Sequence, residues 1–291
     1  MTIVDLIGNT PLVEMKTLSP KKGVKIFGKL EGQNPGGSVK DRAAYNMIKS
    51  AMDRGEVKRG DKLVEATSGN TGIALAMIAR ALDLHMTLIM PDNATAERVR
   101  SMSAYGAEVI LTPADRTIEY SRELAEEMSE KQGYTTLNQF GNPDNYWAHY
   151  QTTGPEIWRD TDGLVTHFVS AMGTTGTIMG VSRYLKEQNN AVQIVGTQPT
   201  EGSCIPGIRR WSPEFLPKIY EKQRVDRIMD VSEQNAVEMT RKLAKEEAIM
   251  AGMSSGGALH AALELAEELE YGLIVFIVCD RGDRYLSSDL F

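Results

Sequence analysis

The stretch Thr166-His167-Phe168-Val169-Ser170-Ala171-Met172-Gly173-Thr174-Thr175-Gly176-Thr177-Ile178-Met179-Gly180-Val181 decides how the rest of the chain is read. Residues 166–170 have the β-branched and aromatic character of a strand. Residues 173–177 supply the glycines and hydroxyls of a turn, and the apolar spacing over 177–187 is that of a helix. Strand, Gly-rich turn and helix in that order form one half of a parallel βα unit. The same alternation runs outward in both directions. Strands are expected at 25–31, 62–66, 86–90, 108–111, 193–198 and 273–278, with helices at 39–54, 71–82, 94–105, 117–131, 232–247 and 257–268. Ile274-Val275-Phe276-Ile277 is apolar at successive positions, as expected when helices cover both faces of a parallel sheet. The pattern predicts an α/β protein of doubly wound, mainly parallel sheets. No period of 20–50 residues recurs, which excludes a solenoid. A turn-rich break at Gln139-Phe140-Gly141-Asn142-Pro143 marks a junction between two α/β halves.

Composition narrows the function classes. At about 150 residues per domain, a chain of 291 residues makes two modest domains or one large one. With 32 Lys+Arg against 39 Asp+Glu the net charge is −7, and no basic stripe is present to neutralise nucleic-acid phosphates. The most apolar run, residues 273–279, is far short of the roughly 20 residues a membrane helix needs. The start of the chain lacks a basic-then-apolar signal pattern. Two cysteines, Cys204 and Cys279, cannot make a disulfide framework, so a reducing cytosol is the expected compartment. The four histidines (His85, His149, His167 and His260) lack metal-ligand spacing, and no metal is expected.

Four loops could carry chemistry. Asn34-Pro35-Gly36-Gly37-Ser38-Val39-Lys40-Asp41-Arg42 places Ser38 as a helix cap and Lys40 in the first helical turn. The dipole disfavours a cation there, so Lys40 is either a solvated surface lysine or one whose charge is depressed for Schiff-base chemistry. Thr67-Ser68-Gly69-Asn70-Thr71-Gly72 follows a strand and opens a helix, as either an elaborate cap or a cradle for a carboxylate or phosphate. Gly173-Thr174-Thr175-Gly176-Thr177 offers N–H and hydroxyl donors at a helix start and suits a phosphate, although it is neither a Walker loop nor a dinucleotide fingerprint. Gly252-Met253-Ser254-Ser255-Gly256 matches the G-x-S-x-G nucleophile elbow. That elbow requires an acid and then a histidine downstream, and the one histidine that follows, His260, precedes the candidate acid Asp280. A lysine able to form a Schiff base, a phosphate cradle and a carboxylate cradle together suit pyridoxal phosphate and an amino-acid substrate.

At these residues the chain resembles the fold-type-II pyridoxal-phosphate enzymes, and within them the cysteine synthase family, most closely its B type. The segment Ile7-Gly8-Asn9-Thr10-Pro11-Leu12, the Asn34–Arg42 motif, the asparagine loop, the phosphate loop and Ser254 occur in the family's order, and Pro206-Gly207-Ile208-Arg209-Arg210-Trp211 and Cys279-Asp280-Arg281-Gly282-Asp283-Arg284-Tyr285-Leu286-Ser287 resemble the B type. The resemblance implies a tryptophan-synthase-β-like fold with a smaller, mobile domain over residues 36–140 and a larger one from residues 1–35 and 141–291. It implies Lys40 as the cofactor lysine and general base, Asn70 at the cofactor's phenolic oxygen, Gly173, Thr174, Thr175, Gly176 and Thr177 around its phosphate, and Ser254 at its pyridine nitrogen. Thr67, Ser68, Asn70, Thr71 and Gln139 would hold the substrate carboxylate, with Arg210, Trp211 and Cys279 near the incoming nucleophile. The implied reaction is β-replacement on O-acetyl-L-serine by sulfide or thiosulfate in a cytosolic homodimer. A serine/threonine dehydratase, a cystathionine β-synthase-like enzyme and a non-catalytic relative are the alternatives. Cys204 stands where a small hydroxyl residue is expected.

Overall fold

The computed structural model describes residues 1–20, 22–67 and 69–291. In chain order, strands β1 (Leu12–Glu14) and β2 (Val24–Leu30) precede α1 (Lys40–Asp53), β3 (Lys62–Ala66), α2 (Asn70–Ala81) and β4 (His85–Pro91). Helix α3 (Ala96–Ala104), strand β5 (Glu108–Thr112) and helix α4 (Thr117–Gln132) follow. Helices α5 (Pro143–Ala148) and α6 (Gly154–Asp160) are joined by a π-helical turn, His149–Thr153. The chain continues through β6 (His167–Ala171), α7 (Gly176–Gln188), β7 (Gln193–Pro199), β8 (Arg227–Val231), α8 (Glu233–Glu247), α9 (Met253–Glu268) and β9 (Gly272–Val278). The chain divides into two units, Met1–Ile7 with Lys40–Asn145, and Gly8–Val39 with Tyr146–Phe291.

The first unit is built on three parallel strands in the order β3-β4-β5. Alternation along these strands sends neighbouring side chains to opposite faces. Leu63, Met86, Leu88 and Met90 pack with Met47, Ile48, Ile73 and Leu75 of α1 and α2, whereas Val64, Ala66 and Ile89 pack with Ala125 and Met128 of α4. Beyond β3, Thr135 adds a single parallel bridge, accepting from the Val64 N–H at 3.0 Å and donating to the Lys62 carbonyl at 2.9 Å.

The second unit holds six strands in the order β1-β2-β9-β6-β7-β8, all parallel except the antiparallel edge strand β1. Strand β9 is the clearest case of two-sided burial. Ile274, Phe276 and Val278 face a core with Leu259, Ala262 and Leu265 of α9, while Val275 and Ile277 face Ile178, Val181 and Leu185 of α7. The doubly wound parallel α/β architecture is as the strand–helix alternation predicts.

Several elements differ from expectation. The short edge strands β1 and β8 are absent from the sequence reading, because three and five residues at a sheet edge carry little apolar periodicity. The helical run from Pro143 to Asp160 begins where the turn-rich junction at 139–143 ends, and is absent from the sequence reading. Its π-helical turn shifts the apolar spacing away from 3.6 residues and hides it from a periodicity search. Helix α9 starts at Met253, so the Ser254 turn is already helical. Ser38, ahead of α1, is fully buried and forms a β-bridge with Asp280. Among the described residues no helix is long and apolar enough to cross a membrane, and no group of three or more His, Cys, Asp or Glu is placed to hold a metal ion.

Candidate active site

In the second unit, the 173–177 loop leaves β6 and enters α7, whose thirteen residues aim free N–H groups and a positive dipole end at the loop. Thr175 adopts a left-handed conformation, φ +69°, which a β-branched residue rarely takes. Its Oγ1 is buried and has no hydrogen-bond partner among the described residues. A strained backbone and an orphaned buried hydroxyl on the same residue are both explained by an oxyanion accepting from it. Gly173 has to be glycine, since a Cβ there would lie 2.5 Å from the Gly207 carbonyl oxygen. Trp211 Nε1 donates to the Gly173 carbonyl at 2.8 Å, and the Arg209 N–H donates to the Met172 carbonyl at 3.0 Å, so the 207–211 segment braces the loop from outside. Thr177 Oγ1 is hydrogen-bonded to Nε2 of buried His149 at 3.3 Å, and His149 Nδ1 to Thr153 at 2.9 Å, across the π-helical turn. His149 reads as one of four scattered histidines in sequence, and only the fold brings it to Thr177.

Gly207 also links this loop to the next. A Cβ at Gly207 would lie 3.5 Å from Oγ of Ser254, a buried residue of the first turn of α9. The neighbouring Ser255 Oγ accepts from the Cys279 N–H at 2.9 Å, and the Cys279 carbonyl accepts from the Val39 N–H at 2.8 Å. Lys40 is the next residue, at the start of α1. Within the second unit, one run of contacts therefore connects the phosphate-type loop, the Ser254–Ser255 turn, Cys279 and Val39.

The 34–39 segment is rigid for identifiable reasons. Asn34 Nδ2 donates to Glu31 Oε2 at 2.8 Å and to the Ser38 carbonyl at 3.2 Å, closing the loop on itself. Gly37 takes φ +82°, with the Arg284 guanidinium where a Cβ would stand. Buried Asp280 accepts from the Gly252 N–H at 3.1 Å and the Tyr285 hydroxyl at 2.7 Å, fixing the turn that carries Ser254.

In the first unit, β3 runs into Thr67 and Asn70 opens α2. Thr67 and Thr71 are both buried. Thr71 Oγ1 donates to Gln139 Oε1 at 2.8 Å, and among the described residues no hydrogen bond engages the Gln139 amide nitrogen. Thr67, Asn70, Thr71 and Gln139 are thus donor-bearing groups of one unit, with Gln139 reaching Thr71 across 68 positions of sequence. Ser68 lies outside the described residues. Arg210 is turned to a different partner: its guanidinium is paired with Asp230 of β8, and Nε donates to the Pro199 carbonyl at 2.9 Å.

The donor set of the 173–177 loop in the second unit fits a phosphate monoester, and the first unit separately carries a lysine, Lys40, of the kind that takes up an aldehyde. Pyridoxal phosphate carries both groups. A family model described as pyridoxal-phosphate dependent enzyme matches residues 3–280. Cysteine synthase B of Pseudomonas aeruginosa is 58% identical over 290 residues, covering 100% of this chain and 97% of that protein. Cysteine synthase B of Salmonella typhimurium is 56% identical over 290 residues, covering 100% of this chain and 96% of that protein. The crystal structure of a cysteine synthase from Entamoeba histolytica matches with a TM-score of 0.93 and 42% identity, over 99% of this chain and 90% of that one. The chain therefore belongs to the pyridoxal-phosphate dependent enzymes, and among them to the cysteine synthases.

Proposed function

We propose that this protein joins sulfide to the three-carbon skeleton of O-acetyl-L-serine, giving L-cysteine and acetate. The observation that carries the reading is the Thr175 loop: a buried, unpartnered hydroxyl on a strained residue at a helix N-terminus, connected through Gly207, Ser254 and Cys279 to the backbone before Lys40. When bound, the pyridoxal ring supplies an electron sink for the carbon that loses its proton.

The chain's own residues supply position and proton transfer. Thr174, Thr175 and Thr177, with the loop N–H groups of Gly173 and Gly176, would hold the phosphate, and the Lys40 amine would hold the aldehyde end. Thr67, Ser68, Asn70, Thr71 and the free Gln139 amide fix the substrate carboxylate, which orients the Cα–H bond toward the released Lys40 amine. Asn70 would also donate to the phenolic oxygen. Lys40 removes the Cα proton as general base. The Cβ–O bond then breaks and its electron pair leaves with acetate. Sulfide forms the Cβ–S bond, and Lys40 returns the proton to Cα. Ser254 would meet the pyridine nitrogen with a neutral hydroxyl, which would stabilise a ring cation less than a carboxylate does and so favour elimination over transamination.

Thiosulfate serves as a second nucleophile in this reading, with Trp211 and Cys279 lining its approach. Arg210 reaches the dianion by exchanging its Asp230 partner, an exposed pair of the kind worth about 0–1 kcal/mol. The same reading makes the protein a cytosolic homodimer, in keeping with two free cysteines. The experiment is an amino-acid analysis of the purified protein with O-acetylserine and sulfide. Cysteine formed at the rate of acetate release supports the assignment, whereas pyruvate and ammonia in place of cysteine would make the protein a lyase.

A further inference from the structure

Glu65 lies in β3, two residues before Thr67, and it is buried, with no cation within ion-pair distance among the described residues. A carboxyl group in that position is costly unless its oxygens are used. They are. Oε2 accepts from the N–H groups of Leu137 at 3.3 Å and Asn138 at 3.2 Å, and the Gln139 N–H also acts on the same carboxyl. These three residues form a turn that needs holding, since Asn138 takes φ +51°. The far side of the turn is tied by Asn142 Nδ2 to the Leu137 carbonyl at 2.9 Å, and by Asn145 Nδ2 to the Gln139 carbonyl at 2.7 Å. The product of these bonds is one side-chain position: Gln139 Oε1 against Thr71, with the amide nitrogen left to donate.

We propose that Glu65 is a positioning residue for substrate binding, fixing the Leu137–Asn138–Gln139 turn so that the Gln139 amide meets the carboxylate of the amino-acid substrate. This rests on the reading of Thr71 and Gln139 as carboxylate ligands. Glu65 touches neither substrate nor cofactor in this role. It acts through the turn, from the strand that also leads into Thr67, so one side chain sets the spacing of both halves of the carboxylate site. Burial raises its pKa, so a neutral amide of the same shape should do the same work: a Gln side-chain oxygen can accept the bonds that Oε2 accepts.

The test is a kinetic cycle on the cofactor-loaded enzyme with E65M, E65Q, Q139A and the double variant E65M/Q139A. Met keeps the volume and removes the acceptor. The expected result for E65M is a KM for O-acetylserine raised about tenfold or more, in proportion to one or two lost hydrogen bonds, with cofactor absorbance retained. E65Q restores KM to within about threefold of the parent. The double variant matches Q139A alone, because both changes remove the same contact. If E65M does not fold, E65D carries the same test, since it retracts the carboxylate by one methylene. A KM for E65M or E65D equal to the parent, with only thermal stability lowered, would overturn the inference, as would additive effects in the double variant. If Q139A itself leaves KM unchanged, it is the carboxylate-site reading that fails.

Discussion

Replacing Thr175 by glycine should have opposite effects on the chain with and without its cofactor. The Thr175 backbone sits at φ +69°, where an L-residue is strained by about 1–2 kcal/mol and glycine is not. Its hydroxyl is buried without a partner, a loss of about 1–3 kcal/mol in the cofactor-free chain. Against these gains stand about 1.6 kcal/mol for the two buried carbons lost, Cβ and the methyl, and about 0.4–1 kcal/mol for the greater freedom of glycine in the unfolded chain. The central values of these terms predict a cofactor-free T175G that is more stable by about 1 kcal/mol, melting roughly 2–4 °C higher. In the proposed role of Thr175 the same change deletes a hydroxyl that would donate to a phosphate dianion. A charge-assisted hydrogen bond is worth about 1.5–3 kcal/mol, so cofactor affinity should fall about 10- to 150-fold. Calorimetry of the cofactor-free protein and absorbance titration with pyridoxal phosphate read the two halves separately. A T175G protein that melts lower without cofactor and binds it as tightly as the parent would refute the assignment of Thr175 to the phosphate.

Other expectations follow from particular contacts. Gly180 of α7 has the Tyr146 carbonyl oxygen 2.1 Å from where a Cβ would stand, so G180A should destabilise the second unit by at least about 1–3 kcal/mol in denaturant unfolding. Burial holds the Glu65 carboxyl above its ordinary pKa, so the folded state binds this proton more tightly than the unfolded chain. Stability from this group is fully present below the unfolded value and is lost as pH rises through the folded one. The melting temperature of E65Q should therefore rise relative to the parent as the pH climbs above the ordinary carboxyl value. R210A should keep its rate with sulfide but lose at least about fivefold in kcat/KM with thiosulfate, since one ion pair to a dianion is removed. Equal loss with both nucleophiles would place Arg210 in the fold alone, through Asp230 and Pro199.

The parts of the fold written in local pattern were legible. Two-sided apolar runs such as Ile274–Ile277 name the central strands, because a residue in the middle of a parallel sheet has protein on both faces. Edge strands β1 and β8 have solvent beside them and carry no such pattern. The loops around Lys40, Asn70, Gly173–Thr177 and Ser254 stand out because glycine and hydroxyl residues gather only where backbone must turn tightly or donate. What local pattern does not carry is the bracing from afar. Glu65 reads as one more acid in a strand until the chain returns with Leu137 and Asn138, 72 and 73 positions later. His149 and Asp280 gain meaning from Thr177 and Gly252 in the same way. Arg210 shows the converse: its sequence motif suggests an anion, while its guanidinium is held by Asp230.

The central claim is that Lys40 holds pyridoxal phosphate by its aldehyde within the loops described above. Borohydride reduction of the loaded protein, followed by proteolysis and mass spectrometry, tests it most directly. The account predicts a stable pyridoxyl-phosphate adduct on Lys40 in the parent and none at this position in K40A, which also forms no cysteine. An adduct on a different lysine, or undiminished cysteine formation by K40A, would contradict it.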